Sequence, residues 1–299
     1  VSSSRSTAVR GGLLAVGAFT FWGLAPLYFR PLRHVDPLEV LAHRVTWSVV
    51  FLVVVAAAMR RGPEILRVLR APRVVLALML SAALICVNWG LFILAVSRQE
   101  VLQASLGYFL NPLLNVMLGV LVLGERLRRA QAAAVIIAGA SVVALAVHVR
   151  GVPVIALLLA VTFAAYGLVR KLIPVDALTG LLVETLLLLP AAVILLVTRE
   201  RVGTAAFGGG GMTDALLLLA GAWTAIPLLL FVGAARRLTL TSLGFFQYIA
   251  PTLQFLLAVL AWHESFGLAR LLAFCGTWLA LAIVSVDAAL VARRNRARA

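Results

Sequence analysis

Two ionisable residues sit deep inside otherwise apolar stretches of the 299-residue chain, Arg44 and Glu184. A charge in such a stretch is costly and normally faces a bundle interior or a water-filled cavity, where it can hold a charged ligand or carry a proton. The two are matched in register: Asp36 precedes Arg44 by eight residues and Asp176 precedes Glu184 by eight. Polar and aromatic groups accompany them. Asn88 and Trp89 share one apolar run and Trp223 and Thr224 another, with Tyr108, Asn111, Tyr166, Gln247 and Tyr248 in further runs. An amide in mid-membrane can bond a solute or tie two helices together. Ring faces suit an aromatic or amphipathic ligand. The chemistry on offer is therefore recognition, with Glu184 as the candidate coupling group.

Bond-making chemistry finds no support. The histidines are scattered, and neither HExxH nor GxSxG occurs. Cys86 and Cys275 lie in separate apolar runs, which excludes a disulfide framework and a four-cysteine metal site. The nucleotide motif GxxxxGK[ST] is absent, and the four glycines from Gly208 to Gly211 read as a flexible connector. No catalytic residue, metal or cofactor is expected.

The elements that must position these groups follow from composition. The chain is 63% hydrophobic and 12% charged, where a soluble domain is about half apolar and a quarter charged. This is the pattern of an all-α, multi-pass integral membrane protein. A helix needs about 20 apolar residues to cross the hydrocarbon. Ten such runs occur, near 11–30, 38–59, 73–97, 102–123, 130–148, 152–171, 177–198, 213–235, 239–262 and 267–291.

With both termini in the cytoplasm, eighteen basic residues fall on the cytoplasmic side, Arg170 and Lys171 among them, against seven opposite. That bias fits the positive-inside rule for a multi-pass membrane protein. The net charge of +15 is thus an insertion signal, not a nucleic-acid surface. The expected partners are a lipid bilayer and a small-molecule substrate, with the chain as a monomer or homodimer. Counted from their helix starts, Arg44 and Glu184 each lie roughly 10 Å deep from opposite faces. Both would line one cavity near opposite gates, bridged by substrate or water and not by direct contact.

The chain also repeats itself. Ser105-Leu106-Gly107-Tyr108-Phe109 is echoed by Ser242-Leu243-Gly244-Phe245-Phe246, and Asn111-Pro112 by Ala250-Pro251. Asn115 is matched by Gln254, Val35-Asp36 by Val175-Asp176, and Glu125 by Glu264. The halves, 1–148 and 149–299, hold five runs each. Five is odd, so the second half enters the membrane from the opposite side. Such inverted repeats let one central site open alternately to either face. Pro112 and Pro251, matched in the repeat, are the candidate hinges, because each removes a backbone hydrogen bond. Glu125 and Glu264 stand beside Arg126 and Arg270 and read as boundary ion pairs.

Several strings resemble one known family. They are Trp22-Gly23-Leu24-Ala25-Pro26-Leu27-Tyr28-Phe29, Glu39-Val40-Leu41-Ala42-His43-Arg44, Asn88-Trp89, Ser105 to Pro112, Leu182-Val183-Glu184-Thr185 and Gln247 to Gln254. Together they are similar to the RarD branch of the EamA family, in the drug/metabolite transporter superfamily, and span most of the chain. The resemblance implies a ten-helix, 5+5 inner-membrane permease or exporter with a central cavity between its halves. That branch is linked by name to a chloramphenicol phenotype, so the resemblance transfers a class and not a ligand. The single-repeat multidrug pumps of the superfamily carry a coupling Glu in their first helix. Spans 11–30 and 152–171 contain no Asp or Glu, so that mode of coupling does not carry over. The expected activity is alternating-access transport of small amphipathic metabolites or drugs, chloramphenicol-type compounds included. The alternative is an uncoupled uniporter or channel-like permease.

Overall fold

The computed structural model describes residues 2–97, 101–149, 154–261 and 267–297, and no strand occurs among them. In chain order the helices are α1 (Ser2–Gly23), α2 (Ala25–Phe29) with a 3-10 turn at Arg30–Leu32, α3 (Pro37–Ala58), α4 (Gly62–Leu69), α5 (Pro72–Ser97), α6 (Val101–Leu121) and α7 (Arg129–Val149). There follow α8 (Val154–Leu172), α9 (Ala177–Val202), α10 (Met212–Ala235), α11 (Leu240–Gln247), α12 (Ile249–Leu256) with a π turn at Leu257–Ala261, and α13 (Leu268–Ala297). Among the described residues, eight helical segments are long and apolar enough to cross a bilayer, and two shorter apolar helices, Gly107–Leu121 and Leu271–Asp287, lie within α6 and α13. Large apolar side chains such as Leu76, Ile136 and Ile194 face outward. This is the arrangement expected where lipid is the solvent.

Local chemistry sets the helix ends. Asp36 caps α3 by accepting from the Leu38 amide at 2.8 Å, with Pro37 in the first turn, where its missing N–H costs nothing. Asp176 caps α9 through the amides of Leu178 and Thr179. The matched aspartates therefore start the two helices that carry Arg44 and Glu184. Gly203 closes α9 in the left-handed conformation (φ 71°) that favours glycine.

Helix α3 packs between α9 and α10, α1 against α10, α11 and α12, and α8 against α5 and α6. Helix α6 crosses α11, and α7 pairs with α13 at the side. The largest core joins Phe19, Tyr166, Leu182, Phe231 and Leu243 from five helices. A second joins Phe109, Val142, Tyr248 and Phe274.

Some basic residues expected in loops are spent inside the fold. Lys171 donates to the carbonyls of Ala235 and Leu238, Arg236 to Val175, and Arg237 to Gly233. They cap helix C-termini and connections, where carbonyls lack partners. Arg170, also expected in a loop, is fully buried in the last turn of α8.

Glu125 differs from expectation as well. It forms no ion pair with Arg126; its two carboxylate oxygens accept the amides of Leu240 at 2.7 Å and Thr241 at 3.0 Å, at the N-terminus of α11. Glu264 lies outside the described residues, as does the side chain of Arg270. Removing a carboxylate that serves a helix start costs about 1–2 kcal/mol. Glu125→Ala is therefore expected to lower the melting temperature in detergent by several degrees, with Glu125→Asp recovering part of the loss.

Candidate functional site

Arg44 lies two turns into α3. Its Nε donates to Thr224 Oγ1 of α10 at 2.9 Å. The guanidinium lies 4.8 Å from the ring centroid of Trp89 on α5 and 5.5 Å from that of Phe29, the last residue of α2. Cation–π contacts of this kind gain strength when desolvated. Tyr28 stacks on Trp223 (4.5 Å between centroids, 8° between planes), and its hydroxyl donates to the Leu216 carbonyl. Tyr108 on α6 is 46% exposed, packs loosely on Phe92, and with Tyr28 lies within electrostatic range of Arg44. The break between α1 and α2 turns this segment so that Tyr28 and Phe29 reach the α3–α10 contact. Four helical elements thus converge on one cation walled by rings.

Glu184 has other company. Its Oε1 is 3.4 Å from Arg170 Nε, and the two side chains are 1% and 0% exposed. The Arg170 guanidinium lies over Gly180, one turn before Glu184, and a Cβ added there would overlap its Nη1. Tyr166 stands one turn before Arg170 on α8, fully buried and stacked on Phe231. Ser81, Tyr166, Thr179, Arg170 and Glu184 all carry enclosed polar atoms without a hydrogen-bond partner in the protein. Such atoms are usually served by ordered water, and they mark a polar knot between α5, α8 and α9.

The remaining predicted residues fall into separate places. The Asn88 amide donates to Leu159 O at 2.8 Å and Thr162 Oγ1 at 2.9 Å, tying α5 to α8. Asn111 is buried near the α6–α11 crossing, where Asn115 Nδ2 donates to Gln247 Oε1 at 2.9 Å. Asn111 Oδ1, Gln247 Nε2 and the Tyr248 hydroxyl are enclosed without partners. Tyr166 and Tyr248 are too enclosed to offer a free ring face. Pro251 follows the break between α11 and α12 at Tyr248 by three residues, whereas α6 runs unbroken through Pro112. Arg44 and Glu184 are not paired with each other.

Sequence reasoning missed Arg170, Tyr28 and Gly180. The register that matched Asp36 with Asp176 also matches Arg30 with Arg170, which was the available signal for Arg170. A third polar group was missed too. Glu39, 1% exposed, accepts the amides of Ala206 and Phe207 and lies 4.0 Å from both His43 and Arg199. It fastens the glycine-rich connector, whose other end is held by Asp214.

Apolar helices of crossing length, with buried charges between them, define a multi-pass helical membrane protein. Sequence comparison narrows the class. The profile of the EamA-like transporter family matches residues 9–147. The protein RarD of Salmonella typhi is 48% identical, covering 96% of this chain and 98% of its own length. An uncharacterized transporter of Vibrio cholerae is 46% identical, with 99% of both chains covered. A solved crystal structure sharing 19% identity superposes with a TM-score of 0.71 over 93% of this chain and 98% of its own, which shows a common fold. The chain belongs to the RarD branch of the EamA family, and is a membrane transporter of the drug/metabolite type.

Proposed function

We propose that the protein is an inner-membrane secondary transporter of small amphipathic metabolites or drugs, working by alternating access. Ten spans form two inverted five-helix repeats, 1–148 and 149–299, around a central cavity, with both termini cytoplasmic. The observation that carries this reading is the symmetry of the packing. Exchange α1 with α8, α3 with α9, α5 with α10, α6 with α11–α12, and α7 with α13. The α1–α10 contact then becomes α8–α5, α3–α10 becomes α9–α5, and α6–α8 becomes α11–α12 against α1. The contacts α3–α9, α6–α11 and α7–α13 map onto themselves. A duplicated unit related by a pseudo-two-fold axis predicts that exchange.

In this reading Arg44 with Trp89, Tyr108 and Trp223 meets the solute, and Asn88, Asn111, Gln247 and Tyr248 shape the helices around it. Glu184 is the group that would couple transport to a proton, and Pro112 and Pro251 mark the hinges. One observation favours an uncoupled uniporter instead: the Glu184 carboxylate is committed to Arg170.

The test is counterflow in proteoliposomes, using the solute that most stabilises the purified protein in a thermal-shift screen that includes chloramphenicol. Saturable uptake accelerated by internal solute is expected; linear, unsaturable flux would point to a channel. Glu184→Gln is expected to abolish the response to a pH gradient while counterflow persists. An unchanged response would remove Glu184 from coupling.

A further inference from the structure

We infer that Arg44 is the docking point for an anionic group of the solute, and that the solute is a small organic monoanion, a carboxylate on a flat apolar body. The inference rests on the carrier reading and names its substrate class. Arginine stays charged in proteins, so burying it without a counter-ion is costly. Elsewhere the fold supplies that counter-ion: Arg170 faces Glu184, and Arg199 lies 2.9 Å from Asp36. Arg44 forms no ion pair among the described residues. The carboxylates around the neighbouring helix ends are committed, Glu39 to Ala206 and Phe207, Asp214 to Gly208 and Gly210, and Glu184 to Arg170.

The state of the guanidinium is also telling. Among the described residues only Nε has a hydrogen-bond partner, Thr224. The nitrogens of Arg170 are sealed in without hydrogen bonds, whereas the terminal nitrogens of Arg44 are not among the enclosed orphans. With Trp89 and Phe29 near it and Nε fixed, the guanidinium still has its Nη edge, which suits the planar, two-point grip of a carboxylate. Its partners Thr224, Trp89 and Phe29 are all uncharged, so the guanidinium itself matches one negative charge. The surrounding walls are rings, Tyr28 stacked on Trp223 and the half-exposed Tyr108, which suit a flat apolar body.

Three probes that share a ring and chain length test this: indole-3-acetate, indole-3-acetamide and tryptamine, titrated into purified protein by calorimetry. The acid is expected to bind at least about tenfold more tightly than the amide, because only it offers a charge-assisted pair. Tryptamine is expected not to bind. The wild-type comparison needs no variant to fold. Arg44→Gln is expected to erase the preference, and Arg44→Lys to keep part of it, since an ammonium supplies charge without the fork. An amide that binds as well as the acid would overturn the proposal, as would no binding by any probe or a preference that survives Arg44→Gln. The carrier reading fails separately. If the acid binds through Arg44 but internal solute never accelerates uptake, the site stands and the carrier does not. If the amide is preferred and shows accelerated exchange, the carrier stands and the anion site does not.

Discussion

Arg170→Ala is expected to destabilise the protein by about 3–5 kcal/mol, because it leaves the Glu184 carboxylate buried without a counter-charge. Glu184→Ala is expected to cost a similar amount by stranding Arg170. Both side chains are essentially sealed, at 0% and 1% exposure, so water cannot screen the charge that remains. The informative variant is the double substitution Arg170→Leu with Glu184→Leu. Replacing a buried ion pair by apolar residues of similar volume is often neutral or stabilising. The double variant should therefore melt close to wild type, well above either single one. Thermal denaturation of the four proteins in the same detergent closes the cycle. Additive losses would mean that the two groups do not interact. A stable double variant would further separate structure from transport. If it melts normally yet has lost its response to a pH gradient, the polar knot serves the transport cycle beyond holding α8 to α9.

Much of the fold was legible because lipid is a demanding solvent. Every crossing helix must be apolar over about 20 residues, and that requirement writes the helices into composition before any packing is known. Arg44 was legible for the same reason, since a lone charge in such a run needs an explanation. Arg170 was not. It stands beside Lys171 at the end of a span, where counting assigns both to a loop. Lys171 does turn to the end of α10, but Arg170 turns inward, and what admits it is the missing side chain at Gly180 on the next helix. That is a tertiary fact with no local signature. Tyr28 was hidden likewise, because its stacking on Trp223 requires α2 and α10 to be neighbours. Asn88 shows the opposite limit. Its polarity in mid-helix was legible, but the use of its amide to bind α8 was not.

Gly221→Ala is expected to be the most damaging single-carbon change near the Arg44 cluster. A Cβ at Gly221 would overlap the carbonyl carbon and oxygen of Trp47 and the Ser48 amide nitrogen. Ordinary contacts between such atoms are about 3.5–4.0 Å. The obstacle is backbone and not the end of a flexible side chain, so α10 must move away from α3 by more than about 1 Å. Overpacking usually costs about 1–3 kcal/mol, and more where nothing can yield; the upper end applies here. Two bonds across the crossing would stretch together. Ser48 Oγ donates to Gly221 O at 3.0 Å, and Arg44 Nε to Thr224 Oγ1 at 2.9 Å, one helical turn later on α10 and one turn earlier on α3. The loss should therefore appear twice, as a lower melting temperature and as weaker binding of whatever Arg44 holds. Gly139→Ala is the matched control. It lies in α7 with nothing within 4 Å of an added Cβ, so the better helix propensity of alanine should leave stability unchanged or raise it by up to about 1 kcal/mol. If Gly221→Ala melted like Gly139→Ala, α3 and α10 would not cross this closely. Thr224 would then not be what fixes the arginine.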